Sequence, residues 1–290
     1  MNKQHILFVH IPKTAGTSFR LAMQEWATEE HTFYDYGESS AETSKTILSH
    51  VYKDKDIYSL HKEMQKHEKL FFSGHFHVGK YMHLFKTTDV ITFLRDPVYQ
   101  VFSHYKHFKK YHGYTKTLED FIKEERFCNF QSKMLQAKPL ELFGFIGLVE
   151  EYALSIKIIN FLFNTNLKVF TSNQINEYHD ELSDELKKLI YKYNTKDVML
   201  YKQAKKIFKD FTISYENKQN HQYYFIQQET ENATRGISFF RNDALATVQN
   251  PQNHRMIQAK DLRPGMLVHN LPRNGYVGFE LKKLMQEGIE

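Results

Sequence analysis

The chain has 290 residues, 39 Lys and Arg against 34 Asp and Glu, a formal net charge of +5, and one cysteine, Cys128. That length leaves room for one large or two modest domains with an ample core, and a lone cysteine excludes an internal disulfide and points to a reducing compartment. No run approaches the ~18 apolar residues of a membrane span and no signal-like segment precedes Ile6, so a soluble, cytoplasmic protein is expected. The modest charge, without a recognisable binding motif, gives no reason to expect a nucleic-acid partner.

Ile6-Leu7-Phe8-Val9 reads as a buried strand that runs into His10-Ile11-Pro12-Lys13-Thr14-Ala15-Gly16-Thr17-Ser18. A helix follows from Phe19 to about Thr28, with Phe19, Ala22, Met23 and Trp26 at helical spacing. A strand, a turn rich in Lys, Gly and hydroxyls, and a helix together make a phosphate cradle. N–H groups at the helix start face the anion, and the helix dipole adds roughly half a positive charge there. Lys13 supplies a mobile charge, Thr14, Thr17 and Ser18 supply hydroxyls, and Gly16 allows close backbone approach. A Walker loop places its Lys after the last Gly. Here Lys13 precedes Gly16, and that pattern fails.

Lys69 to His77 reads as a strand running into His75 and His77, which would share a face if the strand continued through them. An imidazole of near-neutral pKa suits removal of a proton from a hydroxyl. A His-x-His pair lacks the further ligands zinc takes, so no metal site is expected. Val90 to Leu94 is a second buried strand, ending in Arg95-Asp96-Pro97. Asp96 suits an N-cap and Pro97 the first helical position, which puts Arg95 at a strand's carboxyl end, where open α/β sheets contact ligands. Ser103 follows about two helical turns later. A local Arg95–Asp96 ion pair is the plainer alternative. The Lys106, Lys109, Lys110 and Lys116 stretch is either a basic rim for an anionic ligand or a solvated helix face.

Helices are expected over Leu118–Glu125, with Asp120 in a capping box, and over Phe127–Gln136. Phe143–Val149 should be a strand, Glu151–Asn164 a helix, and Lys168–Phe170 a short edge strand. Ser183 caps a helix to about Tyr193, and another runs from Asn194-Thr195 to about Asp210. This alternation gives an α/β three-layer sandwich with a central parallel sheet and phosphate sites clustered at one sheet edge. If one ligand touches both, the turns at 9–18 and 94–103 should be neighbours. From Ile213 the periodicity turns short and β-like, at Tyr223–Ile226, Ile237–Phe240 and Met266–Val268. We therefore expect a domain over 1–212 and a β-rich accessory region over 213–290: a small module, an acceptor-binding lid or an oligomerisation element.

Pro12 to Ser18 resembles the 5′-phosphosulfate loop of sulfotransferases that use 3′-phosphoadenosine 5′-phosphosulfate (PAPS), and Arg95-Asp96-Pro97 with Ser103 resembles their 3′-phosphate motif. Gly74-His75 resembles the position from which the carbohydrate-type members, related to heparan sulfate 2-O-sulfotransferase, supply a catalytic His, with His77 in reserve. Asn129, Gln131, Ser132, Lys133 and Leu135 fit a further segment of that family, as does Phe145-Ile146-Gly147-Leu148-Val149-Glu150. The resemblance spans residues 5 to about 208. It implies a P-loop-like sulfotransferase fold, PAPS as sulfuryl donor, 3′-phosphoadenosine 5′-phosphate (PAP) as product, and no metal. Lys13, Thr14, Ala15, Gly16, Thr17 and Ser18 would bind the 5′-phosphate, Arg95 and Ser103 the 3′-phosphate, and His75 would act as base. The acceptor would be a hydroxyl on a carbohydrate or small metabolite. A homo-oligomer is left open, and the absence of an anchor suggests a bacterial-type soluble member. The rivals are a P-loop-type phosphotransferase and a non-catalytic PAP- or nucleotide-binding protein.

Overall fold

Strands buried on both faces need near-continuous apolar sequence, and this is what the first strands carry. The computed structural model describes residues 3–169 and 182–219, and the strands at 223–227, 237–241, 245–249, 254–258, 267–269 and 278–280. The chain divides into two units, Met1–Phe85 with Asp89–Phe208, and Lys86–Thr88 with Lys209–Glu290. In the first, β1 (Gln4–Val9) leads to α1 (Gly16–Ala27), β2 (Thr32–Asp35), α2 (Lys45–Ile47) with a π-helical turn at Leu48–Lys53, and α3 (Ile57–Met64). Then come β3 (Lys69–Gly74), β4 (Val90–Leu94), α4 (Pro97–Tyr111), α5 (Leu118–Lys123), α6 (Phe130–Met134) and β5 (Phe145–Leu148). The last helices are α7 (Tyr152–Phe163), α8 (Asp184–Tyr193) and α9 (Thr195–Gln219).

The five strands form one parallel sheet in the order β2-β3-β1-β4-β5, with helices on both sides. This is the α/β sandwich that the alternation of elements implies. Ile6, Leu7, Phe8 and Val9 are fully buried in its middle strand. The Phe8 ring meets Phe19 of α1 edge-on at 4.7 Å and Phe93 of β4 at 6.2 Å, so one aromatic knot ties sheet to helix. A second core joins α4, α5 and α8 through residues such as Phe102, Phe121, Phe127 and Ile190.

Local signals set most boundaries. The Asp96 carboxylate accepts from the Val98 N–H with Pro97 behind it, and Thr117 with Asp120 forms the expected capping box. The helix expected over 127–136 is shorter because Asn129 takes a left-handed conformation, φ 51°, just before it starts. The edge strand β2 has no counterpart among the expected elements: four residues are too few for their alternation to stand out. Lys168 and Val169 are not in a strand, and Phe170 lies outside the described residues. Helix α9 continues past Asp210, so position 212 falls inside it.

In the second unit, β6 (Tyr223–Gln227) pairs antiparallel with β7 (Ile237–Arg241). Strands β8 (Leu245–Gln249), β9 (His254–Gln258), β10 (Leu267–His269) and β11 (Gly278–Glu280) form an antiparallel sheet in the order β11-β10-β8-β9. Among the described residues no helix is long and apolar enough to cross a membrane.

Candidate functional site

Because β1 and β4 are adjacent and parallel, the turns leaving their carboxyl ends are neighbours. In the first turn the Thr14 hydroxyl donates to the Ile11 carbonyl at 2.8 Å, and Lys13 and Ala15 adopt left-handed backbone conformations, φ 69° and 60°. The chain thereby doubles back into α1, whose N-cap, Ala15, offers no capping side chain. Such a helix start keeps N–H groups for an anion or water. Of the hydroxyls marked in the sequence, Thr14 is fully buried with its proton committed to the loop, Ser18 is buried and Thr17 is exposed. Thr14 therefore acts on a ligand through loop shape and backbone rather than as a hydroxyl donor.

The second turn locks onto the first. Arg95, 7% exposed, donates from Nη1 to the Lys13 carbonyl at 3.4 Å, and Gln100 of α4 donates from Nε2 to the Pro12 carbonyl at 3.2 Å. Ser103 is buried on the same helix. Burial lowers the Lys13 pKa, and the neighbouring Arg95 guanidinium lowers it further. Two cations held together at a half-buried loop form a site that a multiply charged anion relieves.

The third piece comes from β3. Gly74 ends that strand, and the His75 N–H donates to the Asp35 carbonyl at 2.9 Å. The imidazole of His75 is open to solvent on its outer side and packs edge-on against His10, centroids 4.5 Å apart, and Tyr36, at 4.7 Å. Burial of the ring on its packed side pulls its pKa down to about 4, opposed by Glu42 and reinforced by Arg20, His107 and Lys13. His75 and His77 both lie beyond the end of β3. The strand has already stopped, alternation no longer holds, and His77 Nδ1 bonds the Lys133 carbonyl at 2.9 Å.

Several residues at this site were not picked out from the sequence. His10 is buried, shares a 3.1 Å hydrogen bond with the Tyr36 hydroxyl through Nδ1, and lies flat against the start of α1. A Cβ on Gly16 would fall 2.0 Å from the His10 ring, so Gly16 is required by His10 as well as by any ligand. Arg20 lies over the rings of Tyr34 and Tyr36 at 5.5 and 5.4 Å and pairs with Glu42. Asp35, 1% exposed, accepts from Tyr52 Oη, Lys80 Nζ and Tyr81 Oη, each at 2.7 Å, and so pins the segments flanking His75. His10 stands between strand and Pro12, a signal that could have been read. Asp35 gave none, because the side chains it binds, Tyr52, Lys80 and Tyr81, are 17 to 46 residues away.

The basic stretch on α4 lies over aromatic rings: Lys106 over Phe102 at 4.8 Å, Lys109 over Tyr105 at 5.8 Å and Lys110 over Tyr111 at 5.0 Å, while Lys116 pairs with Glu124. His104 is a core residue packed among Phe108, Phe121, Phe127 and Phe130, and burial brings its pKa down to about 3.

No family model matches the chain, and no curated protein matches it. A solved structure to which it is similar is that of a sulfotransferase from Alicyclobacillus acidocaldarius, at 15% identity and a TM-score of 0.41, covering 67% of this chain and 93% of that chain. At that TM-score the likeness carries no weight for function.

Proposed function

We propose that this chain is a PAPS-dependent sulfotransferase. The observation that supports it best is the juxtaposition of the Lys13 turn and the Arg95 turn, joined by the Arg95 to Lys13 hydrogen bond, with the His75 imidazole following the end of the neighbouring strand. PAPS, when bound, brings a sulfuryl group already activated by a phosphate leaving group. Lys13 and the N–H groups around Ala15, Gly16, Thr17 and Ser18 hold the 5′-phosphate, and Lys13 balances the charge that grows on its bridging oxygen. Arg95 with Ser103 holds the 3′-phosphate. His75 receives the acceptor's hydroxyl proton as that oxygen bonds to sulfur and the bridging sulfur–oxygen bond breaks. At neutral pH an imidazole held at low pKa is in the base form this step needs.

The acceptor is a hydroxyl-bearing carbohydrate or small metabolite, the work is done by residues 1–212 in the cytoplasm, and residues 213–290 serve an accessory role. A thermal-shift titration with PAP, ADP and ATP–Mg²⁺ tests this, since a ligand specific for the folded state raises the melting point by mass action. A shift with PAP well beyond ADP is expected. A shift with ATP–Mg²⁺ alone would make the phosphotransferase alternative the better one, and PAP binding without turnover on an acceptor panel would favour the non-catalytic one.

A further inference from the structure

Between α6 and α9 lies a buried polar interlock that reaches the candidate site at the main chain of Arg95. The Gln131 side chain is fully buried, accepts from the Arg95 N–H at 3.0 Å through Oε1 and donates to the Arg95 carbonyl at 2.9 Å through Nε2. Both backbone groups of one residue are thus held by one amide. A strand that stopped at Leu94 would otherwise leave them to solvent or loop.

Gln131 is in turn fixed from α9. The carboxylate of Asp197, fully buried, accepts from the N–H groups of Gln131 at 3.1 Å and Ser132 at 2.7 Å and from the Ser132 hydroxyl at 2.6 Å. The arrangement is reciprocal: the Asn129 side-chain oxygen accepts from the N–H groups of Lys196 and Asp197, at 2.8 and 3.3 Å, so each helix start is capped by a residue of the other. The next residue along the turn is held too, by the Asp96 N–H donating to Glu150 at 3.0 Å and Tyr201 donating to the same carboxylate at 2.7 Å.

We infer that Gln131 is a positioning residue that aims the Arg95 guanidinium at the donor's 3′-phosphate, with Asp197 and Asn129 holding Gln131. This rests on the reading of Arg95 given under Proposed function. A long Arg side chain discriminates a phosphate only if its Cα is fixed, because a guanidinium fork makes its paired bonds in a narrow range of geometry. Satisfying a buried amide twice on one residue fixes that Cα; a loosely held turn would let Arg95 drift toward the 5′ side or solvent. It also gives a role to the Asn129–Gln131–Ser132 segment, none of whose side chains is a candidate for ligand contact.

The test compares binding of PAP and 5′-AMP to the wild-type chain, Gln131→Met and Asp197→Asn by calorimetry. Wild type should prefer PAP. Gln131→Met, which keeps volume but loses both bonds, should lose about 10- to 100-fold in PAP affinity while 5′-AMP affinity changes less than about twofold. Asp197→Asn should shift the PAP to 5′-AMP ratio in the same direction by a smaller factor. A purely structural role would weaken both ligands alike, and that result, or an unchanged ratio in either folded variant, overturns the inference. If Gln131→Met does not fold, Gln131→Glu, which keeps the acceptor atom and loses the donor, carries the same comparison. A wild-type chain with no preference for PAP would instead bring down the reading of Arg95 and the inference with it.

Discussion

The imidazoles of His10 and His75 meet edge to face with their centroids 4.5 Å apart. One ring belongs to the turn that leads into α1 and the other follows the end of β3, so the contact joins the Lys13 turn to the candidate base. His10 is itself neutral at ordinary pH: burial, and then the charges of His75, Arg20 and Lys13, hold its pKa well below the usual value. Neither ring can gain a proton without raising the cost of one on the other.

That coupling fixes how activity should depend on pH. His75→Ala should lower turnover about 10²–10⁴-fold with PAP affinity nearly kept. In the wild-type chain the acid limb of kcat/KM, which reports the free protein, should lie well below pH 6, since the free imidazole is held down. The acid limb of kcat should lie higher, because a bound polyanion stabilises the imidazolium. Profiles of both parameters between pH 4 and 8 check this. An unchanged rate in His75→Ala removes the residue from the base role.

Gly16→Ala should impair the cradle without any change of charge. Its new methyl would meet the His10 ring at 2.0 Å, and both are held, one by α1 and the other by Tyr36. A misfit of this kind costs about 1–3 kcal/mol. The melting temperature should fall, and pairing the change with His10→Ala, which makes room, should recover part of the loss. No recovery would mean that the strain lies elsewhere.

Arg95→Ala should weaken PAP by roughly 1.5–3 kcal/mol, the range for a hydrogen bond to a charged group, and leave 5′-AMP almost unaffected. Calorimetry with the two ligands separates the cases. Equal losses would place the 3′-phosphate elsewhere.

Stability should decline on mild acidification. His5, His10, His67, His75, His104 and His107 all have pKa values lowered in the fold, chiefly by burial. Below about pH 6.5 the unfolded chain therefore binds more protons than the folded one, and stability rises with pH through that window and levels off above it. His104, packed against four phenylalanines with its pKa at about 3, should contribute strongly. His104→Phe should flatten the slope of melting temperature against pH between 4.5 and 6.5. An unaltered slope would assign the linkage to the other histidines.

Residues 6 to 9 and 90 to 94 declare themselves as central strands because a parallel strand covered on both faces must be apolar throughout, and the turns after them carry their own punctuation, Pro12 and Gly16 in one, Asp96 and Pro97 in the other. The sandwich and the caps of α4 and α5 follow from such local patterns, whereas the strand order that sets the two cationic turns side by side does not. Tertiary structure alone decided that Thr14 closes the loop, that His77 turns away to Lys133, and that Asp35, Gln131 and Asp197 hold His75 and Arg95 in place. The physical reason is sequence distance. A cap or a buried run is set by neighbours a few residues away, whereas the buried carboxylates of Asp35 and Asp197 and the amide of Gln131 draw most of their hydrogen bonds from partners 17 to 66 residues off, which no local periodicity encodes.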